Sequence, residues 1–299
     1  MFFRIQHQLT YQYERPVFLE PMTLRLTPRQ DCSQRLLAHS LRLVEPAAGL
    51  TRVLEPDGTD AAVAWFQQER DRLVIEVDML VETLRSNPFD WIVTHPEAQH
   101  LPVTYPSAEA RSLAGCHGDH IDPGVVAWAG GLAHRVNGSA TAFLSAMADE
   151  IHHGFHHIGR LDGEPTTAAE TLATRTGACR DTAMLFVAAC RSQGLAARFV
   201  SGYSMHHPPE VSEHELHAWA EAYLPGGGWR GFDPSLGLAV ADGHVVLAAA
   251  PDHHLAAPVS GRYRGTGVGS SLSYRIQLKA GPELEGLDGT SPSQPTMPS

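Results

Sequence analysis

Three residues, far apart in the chain, have the types needed for acyl-transfer chemistry: Cys179, His217 and Asp233. Cys179 closes the small-residue turn Thr176-Gly177-Ala178, and an apolar helical run from Ala183 to Cys190 follows at once. The sulfur therefore sits at a helix start. Unpaired N–H groups and the positive end of the helix dipole favour the nucleophilic thiolate there. His217 lies in a run, 215–224, that alternates Leu216, Ala218, Ala220, Ala222 and Leu224 with His217, Trp219, Glu221 and Tyr223. The turn Pro225-Gly226-Gly227-Gly228 then leads to a return strand, Trp229 to Pro234, which carries Asp233 near its end. A hairpin can thus bring a histidine and an aspartate to the cysteine. The imidazole would take the thiol proton and later deliver one to a leaving amine, while the carboxylate fixes its tautomer. On spacing alone, a buried cysteine, a strand histidine and an Asp-Pro turn fit the same residues.

Several neighbours have a place in this scheme. Trp219 and Trp229 flank the hairpin residues and read as groove walls or as packing. Tyr203, with Arg198, reads as a groove residue or as part of a strand end. Asp181 reads as a brace for the helix start or as a partner of Arg180 or Arg198. The pairs His152-His153 and His156-His157 would stand four apart on a continuous helix, the spacing of a two-histidine metal site. Gly154 interrupts them, and neither an HExxH glutamate nor a nearby third ligand is present, so they read as surface or groove histidines. Neither a metal nor another cofactor is expected, and no acidic cluster has calcium-loop spacing.

The elements that must position these residues fall into two groups. Residues 2–13 alternate, with Phe3, Ile5, His7, Leu9, Tyr11 and Tyr13 on one face, until Pro16 and Pro21 break the pattern. Further short strands are expected over 22–27, 36–44, 62–66 and 72–83, with a turn-rich stretch over 49–60. Together they suggest a β-sandwich-like N-terminal domain over residues 1–105, with a proline-rich seam at 87–106. Helices are expected over 123–136, over 139–153 with Ser139 as cap, over 168–173 with Thr167 as cap, and over 179–193 ending at Gly194. Strands follow over 196–203, in the hairpin, over 245–250 and over 271–278, with a loop at 208–213. A catalytic core at 106–279 and a loose tail at 280–299 complete the division.

Composition narrows the function classes. The 299 residues carry a net charge of −11 with neutral histidines, which argues against nonspecific nucleic-acid binding. No apolar stretch approaches a membrane helix, and the N-terminus does not read as a signal peptide. The four cysteines show no CxxC pair or framework spacing, so a reduced, cytoplasmic protein is expected. Cys190 reads as buried packing.

Four ordered motifs carry a resemblance. Thr176 to Asp181, Gly194 to Tyr203, His217 to Pro225 and Gly228 to Ser235 resemble the bacterial transglutaminase-like superfamily. The subgroup they resemble more closely is the transglutaminase-like cysteine peptidases. Thr10-Tyr11-Gln12-Tyr13 and Leu24 to Arg29 are similar to that subgroup's N-terminal β domain. The resemblance implies an α+β fold, in which a papain-like core packs a helix-borne cysteine on an antiparallel sheet. It implies Cys179 as nucleophile, His217 as base and Asp233 as orienting acid, acting on a peptide or protein amide. An oxyanion hole would use the Cys179 N–H and one upstream donor. Hydrolysis is the default outcome. Transfer to an amine, as in a transglutaminase, is the alternative. A non-catalytic peptide-binding scaffold and a zinc hydrolase built on the histidine pairs are the rivals. The sequence departs from the subgroup at Asp252-His253-His254-Leu255-Ala256-Ala257, where an aromatic-acidic signature is expected.

Overall fold

The computed structural model describes residues 1–118, 120–160, 163–206 and 216–284. The first part of the chain forms β1 (Phe2–Leu19), β2 (Met22–Leu24), β3 (Gln34–Leu43), β4 (Gly49–Leu54), β5 (Asp60–Trp65) and β6 (Arg70–Thr83). Phe3, Ile5, His7 and Leu9 point inward from β1, as the alternation requires. Two readings are corrected. Pro16 does not end β1; the strand continues past it, and its pairing with β6 changes register between Gln12 and Val17. The turn-rich stretch at 49–60 contains β4, which pairs with β5.

The central elements are α1 (Ser107–Ser112), α2 (Pro123–Arg135), α3 (Ala140–Gly154), β7 (His156–His157), α4 (Ala168–Thr174), β8 (Thr176–Gly177) and α5 (Cys179–Ser192). The starts of α2, α3 and α4 are capped by side chains. The Asp122 carboxylate accepts from the N–H groups of Gly124 and Val125, Ser139 Oγ from Ala142, and Thr167 Oγ from Glu170. Helix α5 stops at Gly194, whose φ of +75° suits glycine; a side chain there would meet the Val103 backbone.

A second sheet is wholly antiparallel. It comprises β9 (Ala197–Ser204), β10 (His217–Leu224), β11 (Gly228–Asp233), β12 (Leu238–Ala239) and β13 (His244–Ala250), in the order β12-β11-β10-β9-β13. Leu185, Phe186, Ala189 and Cys190 of α5 pack on it against Ala197, Ala220, Ala222 and Phe232. The rings of Phe186 and Phe232 stack at 5.8 Å. A helix-borne cysteine on an antiparallel sheet is thus the observed α+β core. The alternation over 215–224 does not separate a dry face from a wet one, because Trp219 and Glu221 are buried as well.

The chain then returns to its beginning. β14 (Val259–Ser260) pairs with β2, and β15 (Tyr263–Arg264) and β16 (Ser270–Gly281) both pair with β1. The sequence division gives 259–279 to the catalytic core. In the structure these strands complete the two N-terminal sheets, β15-β1-β6-β3 with β16 on β1, and β14-β2-β5-β4. Residues 280 and 281, read as the start of a tail, belong to β16. Residues 285–299 and the loop read over 208–213 lie outside the described residues.

The N-terminal core does not close on itself. Phe3, Ile5, Leu9, Leu24, Ile75 and Val77 share one cluster with Tyr203, Val245 and Leu247 of the second sheet. Polar contacts lock this junction. Buried Glu221 receives both Arg198 (2.6 Å) and Arg29 (3.0 Å), and Gln34 exchanges hydrogen bonds with the Val246 backbone. His7 Nδ1 lies 2.9 Å from Tyr203 Oη, and burial lowers the His7 imidazole to about 4. The unfolded chain takes up a proton below about pH 6.5 that the native His7 refuses, so stability falls with pH until about 4. Between pH 7 and 5 this histidine is expected to cost roughly 2 kcal/mol. Urea midpoints at the two pH values should therefore differ less in His7→Phe than in the unsubstituted protein.

Candidate active site

Cys179 is the first residue of α5 and is half-buried. Its turn is held from inside the helix. Buried Asp181 accepts from the Ala178 N–H (2.8 Å), from Thr166 N–H (2.8 Å) and from Arg160 (2.7 Å). Asp181 thus braces the helix start, as one sequence reading has it. Its charged partner is Arg160, rather than Arg180 or Arg198. Arg180 donates instead to the carbonyls of Gly163 and Arg160. As the first helical residue, Cys179 carries a backbone N–H with no acceptor one turn back in the helix, a donor suited to a developing oxyanion.

His217 opens β10 opposite Gly202 of β9. That glycine is required by crowding, since a Cβ would lie 2.0 Å from the Val245 carbonyl oxygen and 2.8 Å from the Trp219 ring. Asp233 ends β11, and its two oxygens divide their work. Oδ1 accepts from Ser235 N–H (3.0 Å), Ser235 Oγ (2.7 Å) and Leu236 N–H (3.2 Å), which turns the chain and fixes the carboxylate. Oδ2 faces His217 Nε2 at 2.5 Å and His244 Nε2 at 3.0 Å. With Nε2 so engaged, His217 has Nδ1 left for the Cys179 side chain, which lines the same cavity and favours the charged imidazole.

Electrostatics agree with the geometry. Burial would push the Asp233 carboxyl up, but His217 opposite it, with the hydrogen bonds from His217 and His244, holds it well below the carboxylate range. Burial likewise opposes a charged His217, yet Asp233 and then Cys179 raise it well above an ordinary histidine. Burial lowers His244 despite the same carboxylate, which leaves it neutral. The arrangement can therefore take a proton from the thiol onto an imidazole that a fixed anion supports.

The site opens into a cavity of about 370 Å³. Cys179, His217, Phe199 and Ser201 line one side. Leu9 and Tyr11 of β1 and Leu272 and Tyr274 of β16 line it from the N-terminal sheet. The β domain thus forms one wall of the cleft.

The sequence-predicted groove residues lie elsewhere. Trp219 is fully buried beneath the site, with its ring 6.0 Å from that of His217. Tyr203 is fully buried on His7 in the inter-sheet core. Trp229 stacks under Arg198 at 4.1 Å and lines a separate, larger cavity of about 690 Å³ that holds no triad residue. Alternation puts Trp219 on the face of His217, but it does not tell which residue of a face reaches the cleft and which is covered by neighbouring strands. The histidine pairs do not form a helical metal site, because α3 ends at Gly154 and His156-His157 form β7, parallel to β8. His152 Nδ1 meets the Ser235 carbonyl at 2.8 Å and so supports the Asp233 turn, while His157 lines the cleft. His244 escaped the sequence reading. Its only signal is a histidine at the head of an otherwise apolar strand.

A helix-borne cysteine facing a strand histidine, itself held by an aspartate on the adjoining strand, defines a papain-like site. Residues 131–234 match the transglutaminase-like superfamily core, and residues 3–82 match the bacterial transglutaminase-like N-terminal region. The chain belongs to the transglutaminase-like superfamily. Two uncharacterized mycobacterial proteins are similar along most of their length. One, from Mycobacterium leprae, is 26% identical over 89% of this chain and 94% of its own. The other, from Mycobacterium tuberculosis, is 26% identical over 87% and 86%. A Cytophaga hutchinsonii protein, provisionally designated a cysteine protease, shares the fold with a TM-score of 0.71, at 22% identity over 93% of this chain and 90% of that one.

Proposed function

We propose that the protein is a cysteine-dependent acyl-transfer enzyme that hydrolyses peptide or isopeptide amide bonds. The observation that carries this reading is the assembly of Cys179, His217 and Asp233 at one wall of an open cleft. His217 takes the Cys179 proton as the sulfur attacks the amide carbonyl. The C–N bond breaks, and the imidazolium proton leaves with the amine. Water then attacks the thioester, with His217 again taking a proton. The acid departs and the thiol is restored. Asp233 stays ionised throughout and orients the ring. The four unpaired cysteines, one of them the exposed Cys32, support a reduced, cytoplasmic setting. Among the described residues no helix is long and apolar enough to cross a membrane.

Transfer to an amine has one observation in its favour. Leu9, Leu216, Leu272 and Val259 give the cleft an apolar lining that would shield a thioester from water. The two outcomes separate on an activated acyl peptide incubated in ¹⁸O-water with a millimolar primary amine. Hydrolysis is expected to dominate, with the label in the released acid and a rate insensitive to amine. Predominant amide product would replace the peptidase reading with a transglutaminase one.

A further inference from the structure

At the mouth of the same cleft stand three potential ligands that the triad does not use. Glu164 lies on the loop before α4, and His253 and His254 lie on the single 3₁₀ turn, His253–Ala256, that follows β13. One Glu164 oxygen, Oε2, is 3.2 Å from His253 Nε2 and 3.6 Å from His254 Nδ1, and the three ligand atoms all lie within 4.8 Å of one another. Ligands at zinc distances in a tetrahedron stand about 3.3–3.5 Å apart, so a first-row cation could enter with little movement of these side chains.

The supporting contacts favour this use. His253 packs edge-on against Phe199, with ring centroids 6.2 Å apart. Its other nitrogen, Nδ1, is 3.6 Å from Asp252 Oδ1, so a carboxylate stands behind the ligating ring, as is usual for metal-bound histidine. The same Asp252 oxygen accepts from the His254 N–H at 2.9 Å and shapes the turn that presents both imidazoles. On the opposite side, Arg180 grips the Gly163 carbonyl from the position next to Cys179. The glutamate and the histidine pair come from different elements, and all three line the same cavity as Cys179.

We propose that Glu164, His253 and His254 bind a divalent first-row transition metal, of which zinc is the representative. The bound ion staples the 163–165 loop to the turn after β13 and narrows the entrance to Cys179. Two imidazoles and one carboxylate suit such a cation, and water would complete the shell. The binding claim does not depend on the acyl-transfer reading.

The test is a zinc titration of the full chain in a Cys179→Ser background, where the catalytic sulfur cannot act as ligand, followed by competition with a chromophoric chelator. One equivalent is expected to bind. Glu164→Gln and His253→Ala should each weaken binding at least tenfold, while His153→Ala, on α3, should leave it unchanged. All four positions are partly or largely exposed, and circular dichroism verifies that each variant is folded. In the chain with Cys179 intact, zinc should slow alkylation by a bulky maleimide, and Glu164→Gln should remove that protection. Absence of binding at millimolar zinc, or binding indifferent to Glu164→Gln and His253→Ala, overturns the proposal. Binding without protection of Cys179 overturns the staple.

Discussion

Cys179→Ala is expected to lower turnover of a peptide amide by roughly ten-thousand-fold or more, and His217→Ala by a comparable factor, since triad members act as a unit. Stability should change little in the cysteine variant. Cys179 is half-buried at a helix start, and alanine is a good helix former there. Alkylation reads the same chemistry without a known substrate. The chain supplies its own controls, because Cys116 and Cys190 are buried, whereas Cys32 is exposed. At neutral pH, iodoacetamide followed by peptide mapping should modify Cys179 faster than Cys32, and His217→Ala should cost that advantage at least tenfold. An imidazole raised by Asp233 is a ready acceptor for the thiol proton. Equal labelling of Cys179 and Cys32 in the unsubstituted protein would instead support a scaffold that keeps the fold and binds peptides without turning them over.

What the sequence disclosed about this site follows from which interactions are local. The helix start at Cys179, the caps at Ser139 and Thr167, the stop at Gly194 and the hairpin joining His217 to Asp233 are each specified by a few adjacent residues. All were legible. The pairing of β16 with β1 joins residues such as Leu9 and Tyr274, and no local pattern encodes that partnership. Hence the residues by which the N-terminal sheet walls the cleft were not legible, nor was the extent of the β domain. The aromatic residues, read as groove or packing, stayed ambiguous for another reason. A buried sheet is apolar on both faces, so the pattern could not tell whether Trp219, Tyr203 or Trp229 faces the cleft or the packed interior. His244 joins the site only because β13 lies beside β9, with β9 and β10 between it and the strand of Asp233.

Asp233 carries the second large expectation, because structure and chemistry meet on one buried carboxylate. Asp233→Ala would strand the donors of His217, His244, Ser235 and Leu236 in the interior, and is expected to cost about 3–5 kcal/mol of stability as well as activity. Asp233→Asn keeps an oxygen for the Ser235 and Leu236 amides but turns an NH₂ toward the two imidazoles. It should therefore fold, with kcat/KM down roughly ten-thousand-fold from a wrongly oriented or wrongly protonated His217. The stability gap between the natural protein and Asp233→Asn has a defined pH shape. The depressed Asp233 contributes above its usual 3.8, and that contribution is lost as pH falls below it. The raised His217 contributes fully below 6.5, and that contribution is lost as pH climbs through its elevated value. Denaturant midpoints should accordingly differ most between about pH 4 and 6.5, with the gap shrinking on either side. His244→Phe separates positioning from bulk structure. Without its N–H on Oδ2, Asp233 pulls harder on His217, so the alkaline limb of the pH–rate profile should move upward while turnover falls about tenfold. An unmoved limb in a folded His244→Phe protein would reduce that histidine to packing and leave Asp233 to hold the base alone.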